Sequence, residues 1–313
     1  MTIAITKPGV YSDIDAATYH ARDLCPQPAL SSGLVRELLT GSPRHAWWKS
    51  PDLNPAFQAD EDDRFDRGSA AHAVLLEGRT DCLAVYPGVR DWKTKASQEF
   101  KAAARADGKI PLLEHQFAQV QGMVAVARPQ LAAFEDKPTP LSDGKPEQTI
   151  VWREDSVWCR ARLDWLHDDR RTVDDYKSTD GSANPTSWSR TLFNIGYDIQ
   201  AAWYLRGLRA VTGITANWRF VVQEIHAPYA LSVIGLSPAA LALAERKCLH
   251  AIETWRRCLE TGVFNGYPTR TCYAELPGWA EAQWLEREYQ DDGRPIADQL
   301  MGEDTEPKRE STR

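Results

Sequence analysis

The chain has 313 residues, enough for one large domain or two small ones, and its twelve tryptophans and 42% hydrophobic content supply a core. A formal net charge of −7 argues against a protein that coats nucleic acid indiscriminately, although clustered metal-binding acids can coexist with a local basic channel. No apolar run reaches the length of a membrane span and no basic-then-apolar leader opens the chain, so a soluble cytoplasmic protein is expected.

Residues 1–27, with Pro8, Gly9 and Pro26 among scattered polar residues, read as an irregular arm anchored by Tyr11 and Tyr19. Ser31–Leu39 predicts a helix: a hydroxyl cap precedes an apolar face of Leu34, Val35 and Leu38. Gly41-Ser42-Pro43 ends it and opens a second short helix carrying Arg44, Trp47, Trp48 and Lys49. Packing accounts for its aromatic residues, and DNA contact by Arg44 and Lys49 is the alternative. An acidic loop follows, Pro51 to Asp63. Asp66–Gly78 then reads as a helix of small and apolar residues with His72 among them, closed by Gly78. A lone histidine in such a setting is more often a core residue than a ligand.

Arg79 to Asp107 holds a basic helix with Lys93, Lys95, Lys101 and Arg105, either a solvated face or a phosphate contact. A helix from Ile110 to about Ala127 puts Glu114 in its first turn, where a carboxylate also complements the helix dipole. Pro138–Pro146 reads as a loop and Glu147–Arg153 as a strand, with Glu147 a reserve acid.

The densest pattern is WCRARLDWLHDDRRTVDDYKS, from Trp158 to Ser178. It predicts two strands, Val157–Leu166 and Arg171–Tyr176, around the polar turn His167-Asp168-Asp169-Arg170. Side chains alternate along a strand, so Asp164 shares a face with Arg160 and Arg162, and Asp175 with Lys177, while Tyr176 points away. The hairpin brings Asp164 close to Asp175, and two carboxylates converge with one ammonium. Two such carboxylates repel unless something positive lies between them. A divalent cation with oxygen ligands fits, and a lysine beside it can position an attacking water. Charged residues at strand ends are commonly just solvated, but Asp164 sits among Trp, Leu and Val and needs a partner.

After Lys177, Ser178-Thr179-Asp180-Gly181-Ser182 is a polar loop able to touch phosphate. Pro185–Phe193 and Asp198–Ala210 predict helices, and Gln200 and Tyr204 share one face of the second. Strands at Trp218–Glu224 and Ala230–Leu236 precede a long amphipathic helix, Pro238–Thr261, ended by Gly262. An aromatic helix surrounds Trp279, Trp284 and Tyr289. Residues 28–290 are read as one domain and 291–313 as a polar, disordered tail.

RARLDWL and DDYKST, with eleven residues from Asp164 to Asp175, resemble the core motif of the PD-(D/E)XK nuclease superfamily. The DYK form is similar to that of the RecB-type nucleases. The order GVY…YH…ALSSGL…SPRHAWW…RGSAAHAVLLEG resembles the nuclease domain of RecE-type exodeoxyribonuclease VIII proteins of phages and prophages. That likeness runs from about Val10 to about Tyr273. It implies an α/β fold, a central mixed sheet of about five strands flanked by helices. It implies a metal-dependent exonuclease in a bacterial host that digests linear duplex DNA from 5′ ends and leaves 3′ single strands for recombination.

The resemblance also implies roles. The G-x-x-x-H pattern of Gly68 and His72 resembles that of an extra metal-ligand histidine, and Glu114 is the candidate for a glutamate from an upstream helix. Asp164, Asp175 and the Tyr176 carbonyl complete a site for Mg²⁺, with Mn²⁺ a substitute favoured by the histidine. Lys177 orients or helps deprotonate the attacking water. The Q-x-x-x-Y of Gln200 and Tyr204 resembles the helix after the DxK strand. With Arg162, Ser178 and Thr179 these residues are candidate DNA contacts. A homo-oligomeric ring, trimer or tetramer, is expected around double-stranded DNA ends, with a RecT-type single-strand annealing protein as partner and no membrane. The six cysteines lack both a C-x-x-C pair and a tight C-terminal grouping, so neither zinc nor an iron–sulfur cluster is expected. The rival readings are an endonuclease with the same core, a catalytically inactive DNA-binding scaffold, and an interaction protein whose carboxylates are structural.

Overall fold

A computed structural model of the chain describes residues 5–58 and 66–292. It divides into two compact units, one ending at Gly266 and one beginning at Tyr267. The acidic loop around residues 59–65 and the tail from residue 293 lie outside the described residues.

The first unit is built on one mixed sheet. Its centre is an antiparallel hairpin of β5 (Gly144–Glu154) and β6 (Val157–His167), whose register runs from Glu154↔Val157 to Gly144↔His167. Asp155 makes the tight turn with φ of 51°, a left-handed conformation that Asp tolerates better than most residues. On one side, β1 (Gly9–Tyr11) pairs antiparallel with β5. On the other, β7 (Thr172–Thr179) follows β6, β8 (Asn217–Glu224) runs parallel to β7, and β9 (Leu231–Gly235) closes the order β1-β5-β6-β7-β8-β9. A parallel pair needs a long crossover, here α7 (Pro185–Ile195) and α8 (Tyr197–Thr212). A two-residue strand, β2 (Ala29–Leu30), lies parallel to β6, making seven strands where about five were expected.

Helices cover both faces. On one, α2 (Ser32–Thr40), α3 (Pro43–Trp48), α7, α8 and α9 (Pro238–Thr261) enclose a core with Trp152, Trp188, Trp203 and Trp255 all buried. The α8 axis comes close because Gly207 has no side chain: a Cβ there would lie 2.6 Å from the Trp152 ring. On the other face, α4 (Asp66–His72) and α6 (Glu114–Ala132) pack over Tyr176, Val221 and Ile225. Tyr176 and Val221 therefore face away from Phe220 and Val222, as strand alternation requires.

Three expected segments differ. The N-terminal 27 residues are not irregular: they carry β1 and the short helix α1 (Ala16–His20), capped by Asp15, which accepts from Thr18 N at 2.7 Å. Gly144–Pro146 belongs to β5 rather than to a loop. Ile110–Leu113 forms β4, parallel to β3 (Leu83–Tyr86), and the helix starts only at Glu114. Pro111 holds the preceding residue extended, and Gln116 caps the true helix start by accepting from Leu113 N at 2.9 Å. Between β4 and the preceding strand lies the basic helix α5 (Lys95–Ala106).

The second unit contains α10 (Gly278–Asp292), on which Trp279, Trp284 and Tyr289 are exposed. Among the described residues no helix is long and apolar enough to cross a membrane.

Candidate metal centre

The site forms where β6 and β7 part. Their ladder holds at Leu166↔Val173 and Trp165↔Asp174 and stops there. The next step would set Asp164 opposite Asp175. Instead the Asp164 side chain takes over from a strand carbonyl: its Oδ2 accepts from Tyr176 N at 2.9 Å. That bond fixes the carboxylate at the fork. Asp175 is fully buried. Its Oδ1 accepts from Gln200 Nε2 at 3.0 Å, and its Oδ2 is ion-paired with Lys177 Nζ. Oδ2 already meets one cation, the ammonium, and a metal ion would compete with it there.

His72 arrives from the opposite helical layer. It is the last residue of α4, and a π-helical turn, Ala73–Glu77, follows it before Gly78 stops the helix in the left-handed conformation. Gly68 lets α4 lie against β7, because a Cβ there would fall 2.6 Å from Ser178 Oγ. His72 Nε2 then lies 3.3 Å from Glu147 Oε1 and 3.5 Å from Asp164 Oδ2. One ligand atom from each of His72, Glu147 and Asp164 falls within 4.8 Å of the others. A cation bound at roughly 2.0–2.6 Å from its ligands spans such a gap.

Glu147 is unusual within its strand. Its φ is 56°, and the regular pairs skip from Pro146↔Trp165 to Gln148↔Leu163 around it. A non-glycine residue held in that region is strained, and such strain concentrates at functional sites. Arg162 holds the other Glu147 oxygen in an ion pair and also donates to the Ile14 carbonyl at 2.5 Å. The connection between β1 and α1 thereby braces Glu147.

The electrostatics follow from five charged groups, His72, Glu147, Asp164, Asp175 and Lys177, in a partly enclosed space. Burial works against a charged His72, yet Asp164 and Glu147 outweigh it and push its pKa up to about 9. Burial raises Asp175 to about 7, with Lys177 opposing and Asp164 reinforcing the shift. Burial also opposes ionisation of Asp164, but His72 and Lys177 hold it below the ordinary carboxylate value. Lys177 is disfavoured by burial but held charged by Asp175 and Asp164, which lift it above the ordinary lysine range. The protonated imidazole and the ammonium thus balance acids that a divalent cation can balance instead.

His72 and Asp164 share the ligand cluster with Glu147, and Asp175 with Lys177 lies beside it, outside that three-residue cluster. Glu114 does not join them: it is exposed at the start of α6, and its Oε2 accepts from Gly88 N at 3.3 Å. Glu147, the reserve acid, occupies the place expected for Glu114. Counting back from the Asp155–Ser156 turn places Glu147 opposite Asp164, so hairpin register carried this signal. Arg162 is committed to Glu147 and Ile14 rather than exposed to DNA. Gln200 holds Asp175, and Tyr204, one turn further along α8, is buried. Ser178 faces Gly68, and Thr179 Oγ1 accepts from Gly181 N at 3.2 Å. The Tyr176 side chain points away, its hydroxyl donating to Gln223 Oε1 at 2.8 Å. Arg44 is exposed on α3, and Lys49 pairs with Glu37 at 2.7 Å.

The neighbouring Asp174 does different work. It is fully buried and holds His167 at 2.7 Å, Arg219 at 2.6 Å and the Leu141 amide at 2.8 Å. Adjacent acids on one strand face opposite ways, so Asp174 serves the fold and Asp175 the fork.

A domain family described as "PDDEXK-like domain of unknown function (DUF3799)" matches residues 37–274. No curated protein matches the chain. A crystal structure of a "Putative exonuclease" from Eubacterium rectale has a similar fold, with a TM-score of 0.53 and 13% sequence identity. The match covers 80% of this chain and 91% of that one. The family match spans most of the chain, and the mixed sheet with its acid–lysine fork is the corresponding architecture. The chain therefore belongs to the PDDEXK-like family and has the α/β fold of the PD-(D/E)XK nucleases.

Proposed function

We propose that this protein is a metal-dependent exodeoxyribonuclease that hydrolyses linear duplex DNA. The observation that carries the reading is the fork itself. It gathers a histidine, three carboxylates and one lysine at the parting of two strands, with the buried Asp175 carboxylate paired to the Lys177 ammonium. His72, Glu147, Asp164 and Asp175, with the Tyr176 carbonyl, are the groups that would hold Mg²⁺ or Mn²⁺. When bound, such a cation supplies Lewis-acid polarisation of the phosphate and an acidified water.

The remaining steps belong to the chain. Asp175 is kept in one orientation by Gln200, and Glu147 by Arg162. Lys177, held in its charged form, orients the attacking water and stabilises the charge that gathers on phosphate oxygens as the P–O bond breaks. A charged lysine is a poor proton acceptor, so orientation and electrostatics are favoured over deprotonation by Lys177. The histidine makes Mn²⁺ an effective substitute for Mg²⁺.

Digestion from 5′ ends, leaving 3′ tails for recombination with a RecT-type annealing partner in a phage-infected or lysogenic cell, is supported by the resemblance to RecE-type enzymes. A homo-oligomeric ring suits a chain of net charge −7, because encirclement retains a polyanion that the overall field repels. The test is a linear duplex labelled at one 5′ end beside a covalently closed circle, each with and without Mg²⁺. The proposal expects metal-dependent release of the label as small products and an intact circle. Nicking of the circle supports the endonuclease reading instead, and no cleavage of either supports an inactive DNA-binding protein.

A further inference from the structure

Lys177 has a second neighbour that the motif does not include. Its Nζ lies 5.1 Å from the centre of the Tyr197 ring. Tyr197 is the first residue of α8, placed there by Gly196, which ends α7 with φ of 82°. The ring has little freedom. Trp188 stacks on it at 5.7 Å and 19°, and Phe220 packs against it at 5.9 Å.

We infer that Tyr197 is a positioning residue for Lys177, its ring face holding the ammonium at the fork. In the metal-free protein Lys177 is anchored by Asp175, but Asp175 is also a candidate metal ligand. A cation that took the Asp175 oxygen would weaken the lysine's ion pair with Asp175. A long flexible stem then leaves the ammonium free to swing away. The aromatic face is an anchor that a metal ion does not take, because its attraction for the ammonium comes from the ring quadrupole. With Trp188 and Phe220 behind it, the ring keeps the ammonium where a water and a phosphate need it.

This inference rests on the proposed role of Lys177, and its test separates the two. Protein carrying ¹³C at the lysine ε carbon is compared as wild type, Tyr197→Phe and Tyr197→Leu, with Lys177→Arg assigning the resonance. The Lys177 ε protons should be shifted upfield by the ring in wild type and Tyr197→Phe, before and after saturation with Mg²⁺, and unshifted in Tyr197→Leu. Single-turnover cleavage of linear duplex should fall about tenfold in Tyr197→Leu at saturating DNA, with half-saturation within about twofold, and recover in Tyr197→Phe. An unshifted Lys177 resonance in the wild type overturns the inference, and so does a shift that Mg²⁺ abolishes. Equal cleavage by Tyr197→Leu overturns it as well, as does a Tyr197→Phe as slow as Tyr197→Leu. If Tyr197→Leu does not fold, the wild-type and Tyr197→Phe spectra still decide. If the wild type never cleaves DNA, the nuclease reading fails while the spectra still decide where the ring holds the ammonium.

Discussion

Metal binding at the fork should displace a proton, and the structure sets the size of the effect. His72 sits between Asp164 and Glu147 with a pKa of about 9, so at neutral pH it is an imidazolium. A histidine binds a metal only when neutral. At pH 7 the protonated form outweighs the neutral form by about a hundredfold, and apparent affinity should tighten by nearly tenfold per pH unit from 7 towards 9. Asp175, near 7, adds a second proton to the exchange below neutrality and steepens the slope there. The same shifts fix the sign for stability. Both groups hold protons more tightly folded than unfolded, so the metal-free protein loses stability as pH rises, through about 7 for Asp175 and about 9 for His72. Calorimetric titration with Mn²⁺ under anaerobic conditions, in two buffers of different ionisation enthalpy, counts the protons released. About one proton should leave per metal at pH 7.5, and His72→Asn should flatten the dependence above pH 7. Affinity that is flat from pH 7 to 8.5, with no proton released, would refute the assignment of His72 as a ligand.

Three further outcomes are expected. Glu147→Gln should weaken metal binding by at least about tenfold and Glu114→Gln should leave it unchanged, since only Glu147 faces His72; calorimetry on both variants decides. Asp174→Asn should lower stability by roughly 3 kcal/mol, because Arg219 and His167 lose a buried carboxylate, yet leave metal affinity intact; Asp175→Asn should do the reverse, as denaturant melts and metal titrations will show. Gly68→Ala should cost about 1–3 kcal/mol and weaken metal binding by displacing α4, and Ser178→Ala in the same chain should restore both, because Oγ is the atom 2.6 Å from the new methyl while Ser178 Cβ is 3.8 Å away.

Local rules made the centre of the fold legible. Alternation around the Trp158–Ser178 hairpin put Asp175 with Lys177 and turned Tyr176 away, and the structure keeps that arrangement. Helices with clear caps, such as Pro238–Thr261, keep the expected bounds. What escaped was long-range. Strand β1 and the two-residue β2 are too short to carry a period and exist because β5 and β6 offer them edges. Strand β4 was hidden because Ile110–Leu113 is an apolar run that fits helix or strand alike. The choice of Glu114 over Glu147 came from resemblance alone, whereas strand register pointed to Glu147. Arg162, Gln200 and Tyr204 read as DNA contacts because polar residues near a site look alike in sequence. Only the packed structure shows that Arg162 is taken up by Glu147 and Gln200 by Asp175, and that Tyr204 is buried.

In the proposed mechanism Lys177 acts on the reaction and the surrounding acids act on the cation. The direct measurement is single-turnover cleavage of linear duplex DNA by wild type and Lys177→Ala, with metal affinity and melting temperature taken on the same samples. Loss of a group that orients water and stabilises developing charge costs about 2–4 kcal/mol, or tens- to a thousandfold in rate. Lys177→Ala should show that drop while metal binding stays as tight or tightens, because a cation that competes for Asp175 has been removed. Cleavage by Lys177→Ala within about threefold of wild type, or a loss of cleavage that only follows a loss of fold or of metal, would contradict it.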